Sequence, residues 1–101
     1  MVKERVLQSL GLCQRARKII VGEQHALEEI KTKNARIVFL ANDAGKNTTK
    51  RITDKTSFYE IELITSFSCD EISKAIGKRN CKVLAVTDAN FAKMIKSQIV
   101  L

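Results

Sequence analysis

Two short apolar runs limit most tightly what this chain can fold into: Ile37-Val-Phe-Leu-Ala41, preceded by Arg36, and Val83-Leu-Ala-Val86, preceded by Lys82. Both have strand length and β-branched character, and neither alternates with polar residues. A strand that is apolar on both sides needs cover on both faces, so these segments predict the middle of a buried sheet. No apolar run approaches the roughly 20 residues of a membrane span, and the charged N-terminus lacks the form of a secretory signal.

The segments between the runs carry helical periods. Val6, Leu7, Leu10 and Cys13 form one stripe of a helix predicted over 3–17, weakened but not ended by Gly11. Ile19-Ile-Val21 reads as a brief strand. Gly22 opens a second helix through about Lys33, with Ala26, Leu27 and Ile30 inward. Asn42-Asp-Ala-Gly45 is a turn, and Asn47 or Thr48 is expected to cap a surface helix reaching Phe58. Glu60-Ile-Glu-Leu63 alternates as a half-exposed strand does. Ser68-Cys-Asp-Glu71 matches a capping box, followed by Ile72, Ala75 and Ile76 on one face and a stop at Gly77. Thr87 or Asp88 starts a last helix carrying Phe91, Met94, Ile95 and Ile99. Alternating helices and strands imply an α/β fold. The expectation is one domain over 1–101, a three-layer α/β/α sandwich around a mixed, mostly buried sheet of three to four strands.

The charge is +7, from 18 Lys and Arg against 11 Asp and Glu, and it is clustered. Residues 1–20, 36–59 and 78–101 are basic, with neutral or acidic stretches between them. Basic clusters brought to one face make an anion-binding surface. Enzyme signals are sparse. His25 is the single histidine, and no glycine-rich phosphate loop is present. Gly45-Lys46 is a weak phosphate signal, and Asp43 and Asp88 read as helix caps before they read as catalysts. Cys13, Cys69 and Cys81 lack metal-ligand spacing and read as reduced, half-buried thiols, so no metal or cofactor is expected. The stretch Arg15-Ala-Arg-Lys18 leading to Gly22-Glu-Gln-His25 is the better candidate. A helix start with free amides after a glycine attracts phosphate, although solvated side chains on a simple glycine cap would look the same.

Gly11-Leu-Cys-Gln-Arg-Ala-Arg-Lys-Ile-Ile-Val-Gly-Glu23, Arg36-Ile-Val-Phe-Leu-Ala-Asn-Asp43, Ala75-Ile-Gly77 and Val83-Leu-Ala-Val-Thr-Asp88 together resemble one family. It is that of the kink-turn RNA-binding ribosomal proteins of L7Ae and L30e type, in its small bacterial YlxQ-like branch. The resemblance implies the sandwich fold, no enzymatic activity, and structured RNA as partner, either ribosomal or containing a kink-turn. It places Gly22, Glu23, Gln24 and His25 in the groove of the RNA beside tandem sheared G·A pairs. It places Ser66, Phe67 and Ser68 at an extruded base, although a single Phe before a helix also reads as a hydrophobic staple packing inward. Arg15, Lys18, Arg36 and Lys78 are the expected phosphate contacts. His25 and Glu28 depart from the family pattern, which often has Glu or Gln and then Lys there. They motivate the alternative of a protein-interaction module docking a ribosomal or translation-associated protein. A distant third option is an enzyme using Asp43 or Asp88 beside Lys46. A cytoplasmic monomer is expected, with ribosomal proteins as further partners and no membrane.

Overall fold

The computed structural model describes residues 1–100. Five helices alternate with four strands: α1 (Lys3–Arg15), β1 (Ile19–Val21), α2 (Glu23–Lys31), β2 (Ile37–Leu40), α3 (Lys46–Phe58), β3 (Glu62–Ile64), α4 (Cys69–Ile76), β4 (Val83–Val86) and α5 (Ala89–Ile99). The sheet order is β1-β4-β2-β3. β4 pairs antiparallel with both β1 and β2, and β2 pairs parallel with β3. The sheet is therefore mixed, and its two fully buried strands lie in the middle, as the apolar runs require.

Alternate side chains of those strands serve two cores. Ile37, Phe39, Leu84 and Val86 join Val6, Leu10, Ile72, Ile76 and Ile95, so α1, α4 and α5 cover that face. Val38, Leu40, Val83 and Ala85 join Ala26, Ile30 and Ile52 beneath α2 and α3. This is the α/β/α sandwich. Gly11 has a packing role. A Cβ there would lie 3.1 Å from the Ala75 carbonyl oxygen, so the glycine lets α1 settle close onto α4.

Four helices end in the same way. The second residue after α1, after α2, after α3, and the residue after α4, has positive φ: Arg17 (59°), Lys33 (62°), Glu60 (57°) and Gly77 (68°). In each case the next amide reaches back five residues: Lys18 to Cys13, Asn34 to Glu29, Ile61 to Thr56 and Lys78 to Ser73. This is the Schellman closure, which normally favours glycine at the left-handed position. It shortens the elements expected from sequence. The first helix stops at Arg15 instead of 17, and the second at Lys31 instead of 33. Glu60 closes α3, so the last strand of the parallel pair begins at Glu62 and not at Glu60.

Candidate nucleic-acid interface

The registers define two ends of the sheet. β1, β2 and β3 finish, and β4 begins, at what we term the Gly22 end. Here three loops are tied together by backbone bonds: Gly22 N–H to the Val83 carbonyl (3.0 Å), Ala41 N–H to Lys82 (2.7 Å) and Asn42 N–H to Phe67 (2.8 Å). The starts of α2, α3 and α4 meet there. At the opposite, Lys18 end, the Lys18 carbonyl accepts from Thr87 N–H (3.0 Å), and Arg36 N–H donates to Val86 (2.8 Å).

The three helix starts at the Gly22 end differ. α4 is closed by its own residues. Ser68 Oγ accepts from Glu71 N–H (3.1 Å), and Glu71 Oε1 accepts from Ser68 N–H (2.9 Å), which is the capping box read from the sequence. Asp43 Oδ1 accepts a further amide, that of Cys69 (2.9 Å). α2 and α3 instead start on Gly22 and Gly45, and neither has a side-chain cap. Gly22 has φ 107° and ψ 148°, a region open almost only to glycine. Asn47 and Thr48 do not cap α3. Both lie inside it, and the Thr48 hydroxyl is drawn away to Glu23 Oε1 (2.7 Å) because that carboxylate sits between the two helix starts. Glu23 also accepts from Arg51 Nε, clamping α2 to α3.

The carboxylates at this end are thus engaged by the protein. The Arg51 guanidinium, and then the Thr48 hydroxyl, hold the Glu23 carboxyl below its ordinary range. The Ser68 amide, with Lys3 assisting, does the same for Glu71. Asp70 pairs with Lys74 at 3.1 Å. Among the described residues Lys46, Lys78, Arg79 and Lys82 form no ion pair, and all four are exposed. Gln24, His25 and Ser66 are exposed as well. Lys78, Arg79 and Asn80 line a recess with Asp43 and Cys69, beside the α4 start.

The expected site residues therefore fall into three groups. Gly22, Glu23, Gln24, His25, Ser66, Ser68 and Lys78 gather at the Gly22 end. Arg15, Lys18 and Arg36 do not join them. Lys18 and Arg36 lie at the Lys18 end, because a strand separates Lys18 from Gly22 and another carries the chain away from Arg36. Arg15 lines a groove between α1 and α4 with Gly11, Asp70 and Lys74. Arg36 shares its recess there with Glu60 and Glu62. Phe67 belongs to neither surface, which corrects its expected place at an extruded base. It is 0% exposed, stacks obliquely on Phe39 at 5.9 Å between centroids, and lies under the Lys3 ammonium at 5.1 Å. It directly precedes the Ser68 cap and shares a core with Ile72, five residues on, so it is the staple that anchors the α4 start. Sequence reasoning set aside the second open helix start, Gly45-Lys46, and did not single out Arg79 or Lys82. A glycine and a lysine following a buried strand and a short turn were the available signal.

The cysteines are free thiols. Burial pushes Cys13 and Cys81 up to about 11, far from the thiolate range at neutral pH. Among the described residues no group of His, Cys, Asp or Glu is arranged to hold a metal, and no helix is long and apolar enough to cross a membrane.

The fold is a mixed four-stranded α/β/α sandwich with two uncapped helix starts side by side. Residues 4–96 match the ribosomal protein L7Ae/L30e/S12e/Gadd45 family, and the chain belongs to it. It is 41% identical over 97 residues to the RNA-binding protein YlxQ of Enterococcus faecium, covering 96% of this chain and 93% of that one. The RNA-binding protein YlxQ of Bacillus subtilis (strain 168) is 40% identical over 88 residues, covering 87% of this chain and 88% of that one. A Bacillus halodurans C protein of unknown function superposes with a TM-score of 0.90 at 31% identity, over 95% and 97% of the two chains. The 15.5kD RNA binding protein of Giardia lamblia shares the fold, with a TM-score of 0.81 at 15% identity over 93% of this chain and 83% of that one.

Proposed function

We propose that this protein is a non-enzymatic binder of structured RNA and that the Gly22 end is the surface that holds it. The observation that carries the reading is the pairing of open helix starts with unspent cations. The α2 and α3 starts have no side-chain caps, and the exposed, unpaired Lys46, Lys78, Arg79 and Lys82 lie at the same end of the sheet, while the nearby carboxylates are occupied internally. Backbone amides at a helix start, aided by the helix dipole, are suited to phosphate. Gln24 offers both a donor and an acceptor to a base edge, and His25 offers a ring donor. Glycine at 22 lets the RNA backbone approach the α2 start closely. Membership of the family and the names of the YlxQ relatives support RNA as the ligand.

The finer reading is a kink-turn with tandem G·A pairs, bound by the whole chain acting as one monomeric unit in the cytoplasm, on or near the ribosome. Titration of the protein against a fluorescent kink-turn RNA at two salt concentrations tests it. The control is the same RNA with Watson–Crick pairs in place of the G·A pairs. Tight binding to the first RNA and weak binding to the second is expected. Equal and strongly salt-dependent binding to both would reduce the reading to general phosphate binding. Binding to neither would overturn it in favour of a protein partner.

A further inference from the structure

The Lys18 end carries cations that the Gly22 end does not use. The four Schellman closures have identical hydrogen bonding, yet only α4 places glycine at the left-handed position. α1, α2 and α3 place Arg17, Lys33 and Glu60 there, all exposed, and the first two are the cations of this end. A side chain at that position is strained relative to glycine, and nothing these two side chains do inside the protein offsets it. Neither forms an ion pair among the described residues. Lys18 and Arg36 flank them and are held to adjacent residues of one strand end, Thr87 and Val86, through the Lys18 carbonyl and the Arg36 amide. Strands two positions apart in a sheet are about 10 Å apart. Lys18 and Arg36 therefore stand on either side of the β4 end, with Arg17 and Lys33 in the adjoining turns. Of the carboxylates in this region, Asp88 caps α5 by accepting from Phe91 N–H, and Glu60 and Glu62 lie on the β3 side of Arg36. Glu28 and Glu29 lie in the last turn of α2 and pair with none of these cations. Unpaired cations thus project from both the α1–β1 and the α2–β2 turns, Lys31 and Lys33 offsetting Glu28 and Glu29 at the second.

We propose that this end is a second RNA-contact surface, which grips the phosphate backbone of a duplex segment through Arg17, Lys18 and Lys33, so that the protein bridges two RNA segments. The proposal rests on the reading of the protein as an RNA binder, but uses different residues. The two turns carry no aromatic ring and no open helix start, so they read backbone charge and not sequence. With principal extents of 28 × 25 × 25 Å, the molecule spaces the two RNA segments by about its own width.

The left-handed positions make the test clean. Arg17→Gly with Lys33→Gly removes both cations while relieving the backbone, so the melting temperature should hold or rise. Arg17→Asn with Lys33→Asn repeats the charge removal with a residue that tolerates this conformation. One probe is a kink-turn RNA and the other a plain RNA duplex, each with its own dye, so that energy transfer reports both on one protein molecule. Wild-type protein is expected to hold both. The double variants should keep the kink-turn RNA and bind the duplex about tenfold or more weakly. The salt slope for the duplex should fall by roughly 0.7–0.9 for each phosphate no longer neutralised. Duplex recruitment and salt slope unchanged in both variants would overturn the second surface. Failure of wild-type protein to hold the kink-turn RNA would overturn the function proposed for the Gly22 end instead, while the dependence of duplex binding on Arg17 and Lys33 would still decide this proposal.

Discussion

The starts of α2 and α4 sit at the same end of the same sheet, and they are built in opposite ways. At α4, a serine, a glutamate and Asp43 consume the amides, and Phe67 is driven into the core beneath them. At α2, a glycine in a conformation closed to other residues leaves the amides bare and the Gln24 and His25 side chains in solvent. The contrast shows how one fold separates holding itself together from holding something else. A helix start sealed by its own side chains has nothing left to offer a ligand. One that stays open on a glycine gives up only about a few tenths of a kcal/mol of capping energy and leaves its amides available.

The largest test of that contrast is Phe67→Ala. Emptying a fully buried aromatic site should cost about 3–5 kcal/mol, read as a shift in the urea midpoint. RNA affinity measured on the remaining folded protein should not change. A drop in affinity with stability intact would return Phe67 to the interface. Next is Gly22→Ala. A Cβ there meets nothing within 4 Å, so the cost is one of backbone conformation alone, about 1–3 kcal/mol. Unlike the Phe67 change, it should also weaken RNA binding, because the α2 amides move. Ser68→Ala and Gln24→Ala sharpen the comparison further. The first should cost about 1 kcal/mol of stability and leave RNA binding alone, since it breaks the capping box. The second should change stability by less than about 0.5 kcal/mol and lower RNA affinity. Reversed results would exchange the two roles.

The smallest effect is on acid stability. Glu23 and Glu71 both titrate below the ordinary 4.5 when folded, through the partners that clamp α2 to α3 and close α4. Their contribution is complete above that value and is lost as the pH falls through the lower folded value. Urea midpoints should therefore drop between pH 5 and pH 3. Glu71→Gln should flatten part of the drop. Glu23→Gln should flatten another part while leaving the α4 closure intact. An unchanged profile in both variants would mean that neither carboxylate holds its helix start in solution.

Much of the architecture was legible because each element carries its own period or stop signal. The two apolar runs became the central strands, the Ser68–Glu71 box formed as read, and Asp88 caps α5. The helix ends were less legible, because Arg17, Lys33 and Glu60 adopt a glycine-like conformation that their side chains do not announce. The site was legible in part. An apolar residue ahead of a capping box looks the same whether tertiary packing turns it inward or leaves it out, so the sequence alone left Phe67 open. Lys18 and Gly22 are near neighbours in the chain, but the intervening strand sets them about 10 Å or more apart at opposite ends of the sheet. Their sequence proximity suggested a single surface, but the fold sets them at opposite ends of β1.

The order of the strands also bears on how the chain acquires its shape during synthesis. β4 is the last made of the four described strands, yet it lies between β1 and β2 and supplies both of their antiparallel partners. Until residues 83–86 leave the ribosome, only the parallel β2–β3 pair can form, and β1 has no neighbour. Pairings this distant in sequence close the largest loops and form slowly. The nascent chain therefore cannot mature element by element from its N-terminus. It must wait, with two apolar strand faces uncovered, for a segment made after the other three strands.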